Sequence, residues 1–242
     1  VKHANPCGVS IIKNNLMSYN SALASDPVSA FGGIVSCNFK IRKNLAVELN
    51  KTFLEVIVAK GFDANALEVL KSKKNLRLID STHYSNSSFV KFDSFGDNIV
   101  TQTEDEIFFS KKNFKIVSKK KPNKSQLENL IFAFNTCRHV KSNGIVLASD
   151  MSTVGIGSGQ PSRIDSCKIA VSKMQKYMKS KKEVVAASDA FFPFVDGIEK
   201  LIQHGVSAVI QPEGSIRDKE IIKFADATET ILVFSKTRHF KH

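Results

Sequence analysis

Val184-Val185-Ala186, then Ser188-Asp189-Ala190-Phe191-Phe192-Pro193-Phe194, then Ala208-Val209-Ile210: two compact apolar strands enclose a polar, aromatic turn and a helical stretch from Val195 to His204. The same rhythm continues outward. Toward the C-terminus come a helix from Asp218 to about Ala227 and a strand from Ile231 to Phe234. Toward the N-terminus lie a helix capped by Ser125 and running to about His139, a strand from Gly144 to Ala148, a Gly-rich loop, and a helix from Asp165 to Met178. Earlier still, Ile34 to Cys37 reads as a short buried strand after a Gly-Gly turn. Leu45 to Phe53 then reads as a helix, Val56-Ile57-Val58 as a strand, Asn65 to Leu70 as a helix and Leu76 to Ile79 as a strand. Strands alternating with helices imply an α/β protein with three αβα layers. Asp80 to Asp97, rich in Ser, Asn and Asp, reads as a loop or peripheral hairpin. The polar, proline-broken stretch Lys119 to Lys124 marks a boundary between a first subdomain over 1–118 and a second over 119–242. The two share an architecture but no sequence repeat.

Bulk composition narrows the class. In 242 residues, 42% hydrophobic and 24% charged, no run approaches the length of apolar chain that a membrane span requires. Val1 leads directly into Lys2-His3-Ala4-Asn5-Pro6 without a signal-peptide pattern, so a cytoplasmic protein is expected. Cys7, Cys37, Cys137 and Cys167 are spread without a Cys-x-x-Cys pair, which fits reduced thiols better than a disulfide framework or zinc site. The net charge of +12 suits an anionic partner, but abundant solvated lysines such as Lys119-Lys120-Lys121 account for it better. Those lysines are scattered rather than interleaved with aromatics on one element, which argues against a nucleic-acid binder.

Chemistry concentrates in five segments at the ends of expected strands: Lys2-His3, Asp26 to Gly33, Lys141-Ser142-Asn143, Gly155 to Arg163 and Ser188 to Asp196. Open α/β sheets bind ligands at such places. Gly155, Gly157 and Gly159, followed by Gln160, would let backbone N–H groups approach an anionic or planar ligand, although the pattern is neither a P-loop nor a dinucleotide fingerprint and is equally a plain tight turn. Phe191, Phe192 and Phe194 beside Pro193 suit either core packing or a stacking slot for a flat heterocycle, with Asp189 and Asp196 flanking them. Lys2-His3 pairs a cation with the side chain best able to move a proton at neutral pH.

Taken together these segments resemble aminoimidazole-carboxamide ribotide (AICAR) transformylase. The matching stretches are Lys-His-Ala-Asn-Pro-Cys-Gly-Val (2–9), Asp-Pro-Val-Ser-Ala-Phe-Gly-Gly-Ile-Val (26–35), Phe-Leu-Glu-Val-Ile-Val-Ala (53–59) and His-Val-Lys-Ser-Asn (139–143). Gly-Ile-Gly-Ser-Gly-Gln-Pro-Ser-Arg (155–163), Ser-Asp-Ala-Phe-Phe-Pro-Phe (188–194), Gly-Ser-Ile-Arg-Asp (214–218) and Arg-His-Phe-Lys-His (238–242) follow in order.

The resemblance implies a cytidine-deaminase-like fold of two similar subdomains, working as a homodimer with active sites at the interface. It implies formyl transfer from 10-formyltetrahydrofolate to the 5-amino group of AICAR, with His3 as general base and Lys2 and Asn143 holding the developing oxyanion. Phe31, Gly32, Glu55 and Arg238 would line the ribotide pocket. Gly157, Gly159, Gln160, Phe191, Phe194 and Asp196 would meet the folate, while Asp189 and Ser142 would hold a potassium ion. Deaminase zinc chemistry is not supported, because His3-Ala4-Asn5 and Pro6-Cys7-Gly8-Val9 replace His-x-Glu and Pro-Cys-x-x-Cys. The family's cyclohydrolase domain and its Arg-Tyr-Gly-Glu-Asn-Pro-His-Gln segment ahead of Lys2 are not in this sequence, so the first subdomain is expected to be N-terminally incomplete. The alternative expectation is a catalytically inactive fragment serving as a dimerisation or ligand-binding module.

Overall fold

The computed structural model describes residues 1–84, 90–178 and 182–242. Its first half runs α1 (Asn15–Ser25), α2 (Pro27–Ala30), β1 (Gly33–Cys37), α3 (Lys43–Asn50), β2 (Leu54–Ala59), α4 (Ala64–Leu70), β3 (Arg77–Asp80), β4 (Val90–Phe95) and β5 (Asn98–Thr103). The second runs β6 (Phe114–Ile116), α5 (Lys124–Cys137), β7 (Ile145–Ser149), β8 (Ser152–Gly157), α6 (Arg163–Tyr177), β9 (Val184–Ser188), α7 (Asp196–Ile202), β10 (Val206–Pro212), α8 (Asp218–Ala227) and β11 (Ile231–Ser235).

Six strands form one sheet in the order β6-β11-β10-β9-β7-β8. Strands β9, β10 and β11 are mutually parallel, and β6, β7 and β8 each run antiparallel to a neighbour. Side chains along a strand alternate between faces, and here each face has its own core. Ile145, Leu147, Val184, Ala186, Leu232 and Phe234 pack with residues of α6, α7 and α8, among them Cys167, Ile198, Leu201 and Ile221. Val146, Ala148, Val185, Ala187, Ile231 and Val233 pack with Leu130, Ala133 and Phe134 of α5. The three-layer αβα arrangement is therefore present in the second half. Each fully buried Leu, Ile or Phe contributes on the order of 1.5–3 kcal/mol to it.

The first half is thinner. Strands β1, β2 and β3 form a parallel three-stranded sheet whose single core joins Tyr19 of α1, Leu45 and Leu49 of α3, Leu70 of α4, and Ile57. Its other face is open, with Ile34 40% and Ile79 49% exposed. Parallel sheets are ordinarily covered on both faces. The two halves are thus less alike than the sequence rhythm implies, and β1 is fully buried only at its two ends.

The subdomain boundary expected at 118/119 needs correction. Strand β6 precedes it yet pairs with β11, and Phe109 lies in the α5 core with its ring 4.7 Å from that of Phe134. The lysine run is only a solvated link into α5. That helix is capped by Asn123 rather than Ser125: Asn123 accepts from the Gln126 amide at 2.8 Å, and the Gln126 side chain accepts from the Asn123 amide at 3.0 Å, a capping box. The stretch read as a loop or hairpin contains β4 and the turn after it, and the pairing strand β5 lies just beyond, ending at Thr103; residues 85–89 of the stretch lie outside the described residues. Phe92 and Phe95 on this hairpin are 74% and 79% exposed.

The glycines also fall elsewhere than expected. Gly155 and Gly157 belong to β8 rather than to a loop. A Cβ on Gly155 would lie 2.2 Å from the Ala170 carbonyl oxygen, and one on Gly157 would lie 1.9 Å from that of Ser166. Their missing side chains let α6 press against the strand. Only Gly159, at φ +67°, sits in the turn. No helix among the described residues is long and apolar enough to cross a membrane.

Candidate active site

Sheet topology gathers three of the five polar segments, with two further strand ends, at one edge. Ile145, the first residue of β7, is paired with Ser188 at the end of β9 and Gly157 at the end of β8, and the ends of β10 and β11 pair as Pro212 and Ser235. The segments 141–143, 158–163, 188–196, 213–218 and 236–242 consequently all leave the sheet on the same side, where an open α/β sheet binds ligands.

Asp189 organises that edge. It is fully buried and forms an ion pair with the Arg163 guanidinium, while its other oxygen accepts from Ser142 Oγ at 2.7 Å and the Gly144 amide at 2.9 Å. Arg163 also donates to Ser188 Oγ at 2.8 Å and to the Asn143 side-chain oxygen at 2.5 Å. The Asn143 Nδ2 group donates to the Gln160 and Pro161 carbonyls at 2.8 and 3.0 Å. With both of those hydrogens engaged, the Asn143 side chain has none left over for a formyl oxygen in this conformation. The sequence reading assigns Arg163 no role, although it closes the Gly-rich motif. A buried arginine needs an anionic partner, and the sequence alone does not tell a buried arginine from a surface one.

This donor set also tests the potassium ion. The Asp189 charge is already met by Arg163, with two further donors on its other oxygen, and Ser142 Oγ additionally accepts from the Lys241 amide at 3.2 Å. As arranged, the pair does not fit a potassium ion. Among the described residues no group of three or more His, Cys, Asp or Glu is placed to hold a metal.

Beside this hub lies a cavity of about 590 Å³, lined among others by Asn143, Arg163, Phe191, Phe194, Asp196 and Arg238. The Arg238 guanidinium lies 4.9 Å over the Phe191 ring and that of Arg217 lies 4.8 Å over Phe194. Such cation–π contacts hold exposed rings in place. Asp196 opens α7 and accepts from the Gly197 amide at 2.7 Å. Gln160 and Gly159 form the adjoining turn, with the Gly159 amide bonded to the Lys141 carbonyl at 2.9 Å. Gly157, by contrast, is taken up by the strand–helix contact.

A second cluster forms around the start of the chain. The Lys2 ammonium donates to the Phe31 carbonyl at 2.7 Å. Gly32 takes φ +68° and its amide bonds to the Phe53 carbonyl at 2.8 Å, bringing the Phe31 and Phe53 rings to 5.3 Å. Glu55 is exposed on β2 nearby in sequence. Lys2 and Asn5 exchange backbone hydrogen bonds of 2.9 and 3.0 Å, so His3 and Ala4 form a two-residue turn with φ of 51° and 60°. Left-handed geometry at non-glycine residues costs roughly 1–2 kcal/mol each, and strain of this kind gathers at functional sites. It presents His3 at an exposed tip.

The two clusters are joined by hydrogen bonds. Asn5 Oδ1 accepts from the Lys141 amide at 2.9 Å, and the Lys241 ammonium donates to the carbonyls of Ala4 and His139 at 3.3 and 3.0 Å. Burial, then Lys91 and Lys141, lowers the Lys241 pKa. Burial, then Arg138 and Lys241, lowers that of His139. Lys91, Arg138, Lys141 and Lys241 thus outnumber Glu104 and Asp105 around this junction. Within one chain, however, Lys2 and His3 do not line the Asn143 cavity. Arg238 sits with the aromatics instead of with Phe31, Gly32 and Glu55, because β11 leaves the sheet beside β10.

Comparison with known proteins adds a family. The family described as AICARFT/IMPCHase bienzyme matches residues 1–173. The bifunctional purine biosynthesis protein PurH of Ligilactobacillus salivarius is 42% identical over 244 residues, covering 100% of this chain and 47% of the relative. That of Rhodospirillum rubrum is 43% identical over 251 residues, covering 100% of this chain and 48% of the relative. The chain spans about half the length of the curated relatives it matches.

Proposed function

The chain belongs to the AICARFT/IMPCHase bienzyme family, and from that premise we propose that it carries the formyltransferase chemistry, moving a formyl group from 10-formyltetrahydrofolate to the 5-amino group of AICAR in purine (IMP) biosynthesis. The observation that carries this reading is the convergence of four strand-end segments around one aromatic, arginine-rimmed cavity, tied through Asn5 and Lys141 to the strained His3–Ala4 turn. A cleft with flat walls and few polar groups suits a pterin-like heterocycle, and the cationic junction suits a ribotide phosphate.

In this mechanism the ribotide amine is a poor nucleophile, because its lone pair is delocalised into the imidazole and carboxamide. His3 takes a proton from it as the new C–N bond forms at the formyl carbon. Lys2 and Asn143 hold the oxygen that becomes negative in the tetrahedral intermediate, which requires the Asn143 amide to exchange its 3.0 Å bond to Pro161 for one to substrate. Collapse breaks the bond to folate N10, which leaves as an amine and recovers a proton. General base catalysis contributes about 10²–10⁴ in rate, and each oxyanion donor about 10²–10³. Phe31, Gly32 and Glu55 would contact the ribotide, and Gln160, Phe191, Phe194 and Asp196 the folate.

A cytidine-deaminase-like scaffold and a homodimer belong to the same reading. The open face of the β1–β2–β3 sheet, with Ile34 and Ile79 exposed, supports a partner there. So does the separation of Lys2 and His3 from the Asn143 cavity, since a second copy would complete the site. Folate difference absorbance on the full-length gene product tests the reading. Tetrahydrofolate formation dependent on both substrates is expected. A folded protein that binds AICAR without any transfer would instead favour the inactive binding module.

A further inference from the structure

Helix α6 does two jobs along its length. Arg163 at its start holds Asn143. Ten residues on, about 15 Å along the axis at about 1.5 Å per residue, Lys173 reaches across to the first half. Its ammonium lies 2.8 Å from Asp26 Oδ2, an oxygen with no other partner among the described residues, on a side chain only 3% exposed. Asp26 in turn starts α2: its Oδ1 accepts from the Ser29 amide at 3.1 Å and its carbonyl accepts from the Ala30 amide at 3.2 Å. This short helix delivers the chain directly into Phe31 and Gly32, and the Phe31 carbonyl is the acceptor for Lys2.

We infer that Lys173 is a positioning residue for the nucleotide-side loop, acting through Asp26 to fix α2 and hence the Phe31 carbonyl and the Lys2 ammonium. Lys173 itself lies outside both clusters of site residues and touches neither the cavity nor the His3–Ala4 turn. An exposed lysine–carboxylate pair would carry little weight, but here one partner is buried and would be left uncompensated without the other. The arrangement makes α6 a single strut that sets both the folate-side amide and the nucleotide-side carbonyl. The inference rests on the formyltransferase reading and narrows it, since it states which substrate is affected.

The test compares wild type, Lys173→Met, Lys173→Arg, Asp26→Asn and the Lys173→Met/Asp26→Asn double variant in the full-length protein. AICAR affinity is measured by titration calorimetry without folate, and turnover separately with both substrates. Lys173→Met should weaken AICAR binding and raise its KM about tenfold, and lower kcat about tenfold as the Lys2 ammonium loses its setting, with the folate KM within about twofold of wild type. Lys173→Arg should restore the AICAR KM to within about threefold, and the double variant should be no worse than either single change. An AICAR KM unchanged in folded Lys173→Met, or equal losses for both substrates, would overturn the inference. Should Lys173→Met fail to fold, Asp26→Asn decides alone: it keeps the cap on α2 while losing the charge, and an unchanged AICAR KM there sinks the idea. If wild type binds AICAR but transfers nothing, the formyltransferase reading fails, while the calorimetric comparison still judges Lys173.

Discussion

Arg163 and Asp189 stand 26 residues apart in sequence and form an ion pair almost wholly removed from water, with side chains 8% and 0% exposed. The strand-end edge is built around this pair: Ser142, Gly144 and Ser188 hydrogen-bond to one member or the other, and Asn143 takes its orientation from the guanidinium. Removing one partner strands a buried charge. Arg163→Met should therefore destabilise the protein by about 3–5 kcal/mol, read as a fall in the urea midpoint, with Asp189→Asn partly compensating in the double variant.

His3 is the proposed base, and it stands exposed at the tip of its turn. Replacing it by alanine should lower kcat by about 10²–10⁴ while AICAR affinity stays within about twofold. A rate close to wild type in a steady-state assay removes His3 from the chemistry.

The same turn offers a prediction free of catalysis. Ala4 sits at φ 60°, a conformation glycine adopts without penalty. Ala4→Gly should raise stability by roughly 1 kcal/mol after the entropy lost by glycine is offset, equivalent to a Tm increase of about 2–4 °C for a chain of this size. A thermal melt with no upward shift would mean that the turn is not strained.

Gly157 tests the reassignment of the Gly-rich segment. A methyl group there would sit 1.9 Å from the Ser166 carbonyl oxygen, a backbone atom that cannot swing away. Gly157→Ala should destabilise by about 1–3 kcal/mol or more through overpacking. Gly159→Ala, with open space around its Cβ, should cost only its left-handed backbone, about 1–2 kcal/mol. Activity separates them further. Gly157→Ala shifts α6 and with it Arg163, whereas Gly159→Ala leaves that helix where it is. Chemical denaturation and turnover of the two variants check both statements.

Thiol reactivity should divide the cysteines. Burial pushes the Cys37 thiol up to about 11 and the Cys167 thiol to about 12, and lifts Cys137 well above its ordinary value, whereas Cys7 is only half-buried. The thiolate is the reactive form. A native titration with an aromatic disulfide at pH about 8, near the ordinary thiol range, should consume one thiol quickly and all four only after denaturation.

Much of the second half is legible in the sequence. The β9–α7–β10 succession, the strand at Ile145 and the helix at Arg163 follow from apolar runs broken by polar turns, because packing on both faces of one sheet demands those runs. The strand-end motifs are legible too, though not their convergence, which depends on β7 and β8 running antiparallel to their neighbours. What the sequence conceals has a common cause. Gly155 and Gly157 look alike whether a ligand or a helix approaches them; Phe109 and Phe114 precede the apparent boundary but belong to the core behind it. Arg163 looks like any surface cation until Asp189 is seen beneath it. Each depends on a contact between residues far apart in the chain.

The opening residues of the chain also border the outermost strand of the large sheet: the Val9 carbonyl accepts from the Thr153 amide at 2.9 Å, the Met151 carbonyl accepts from the Ile11 amide at 3.0 Å, and Ser10 bridges to Ser152. They act as a selvedge on β8. A dissected C-terminal half would lose it and present raw donors and acceptors along that strand, a template on which further copies would pair. The second body fills its own interior, yet its margin is hemmed by the first dozen residues.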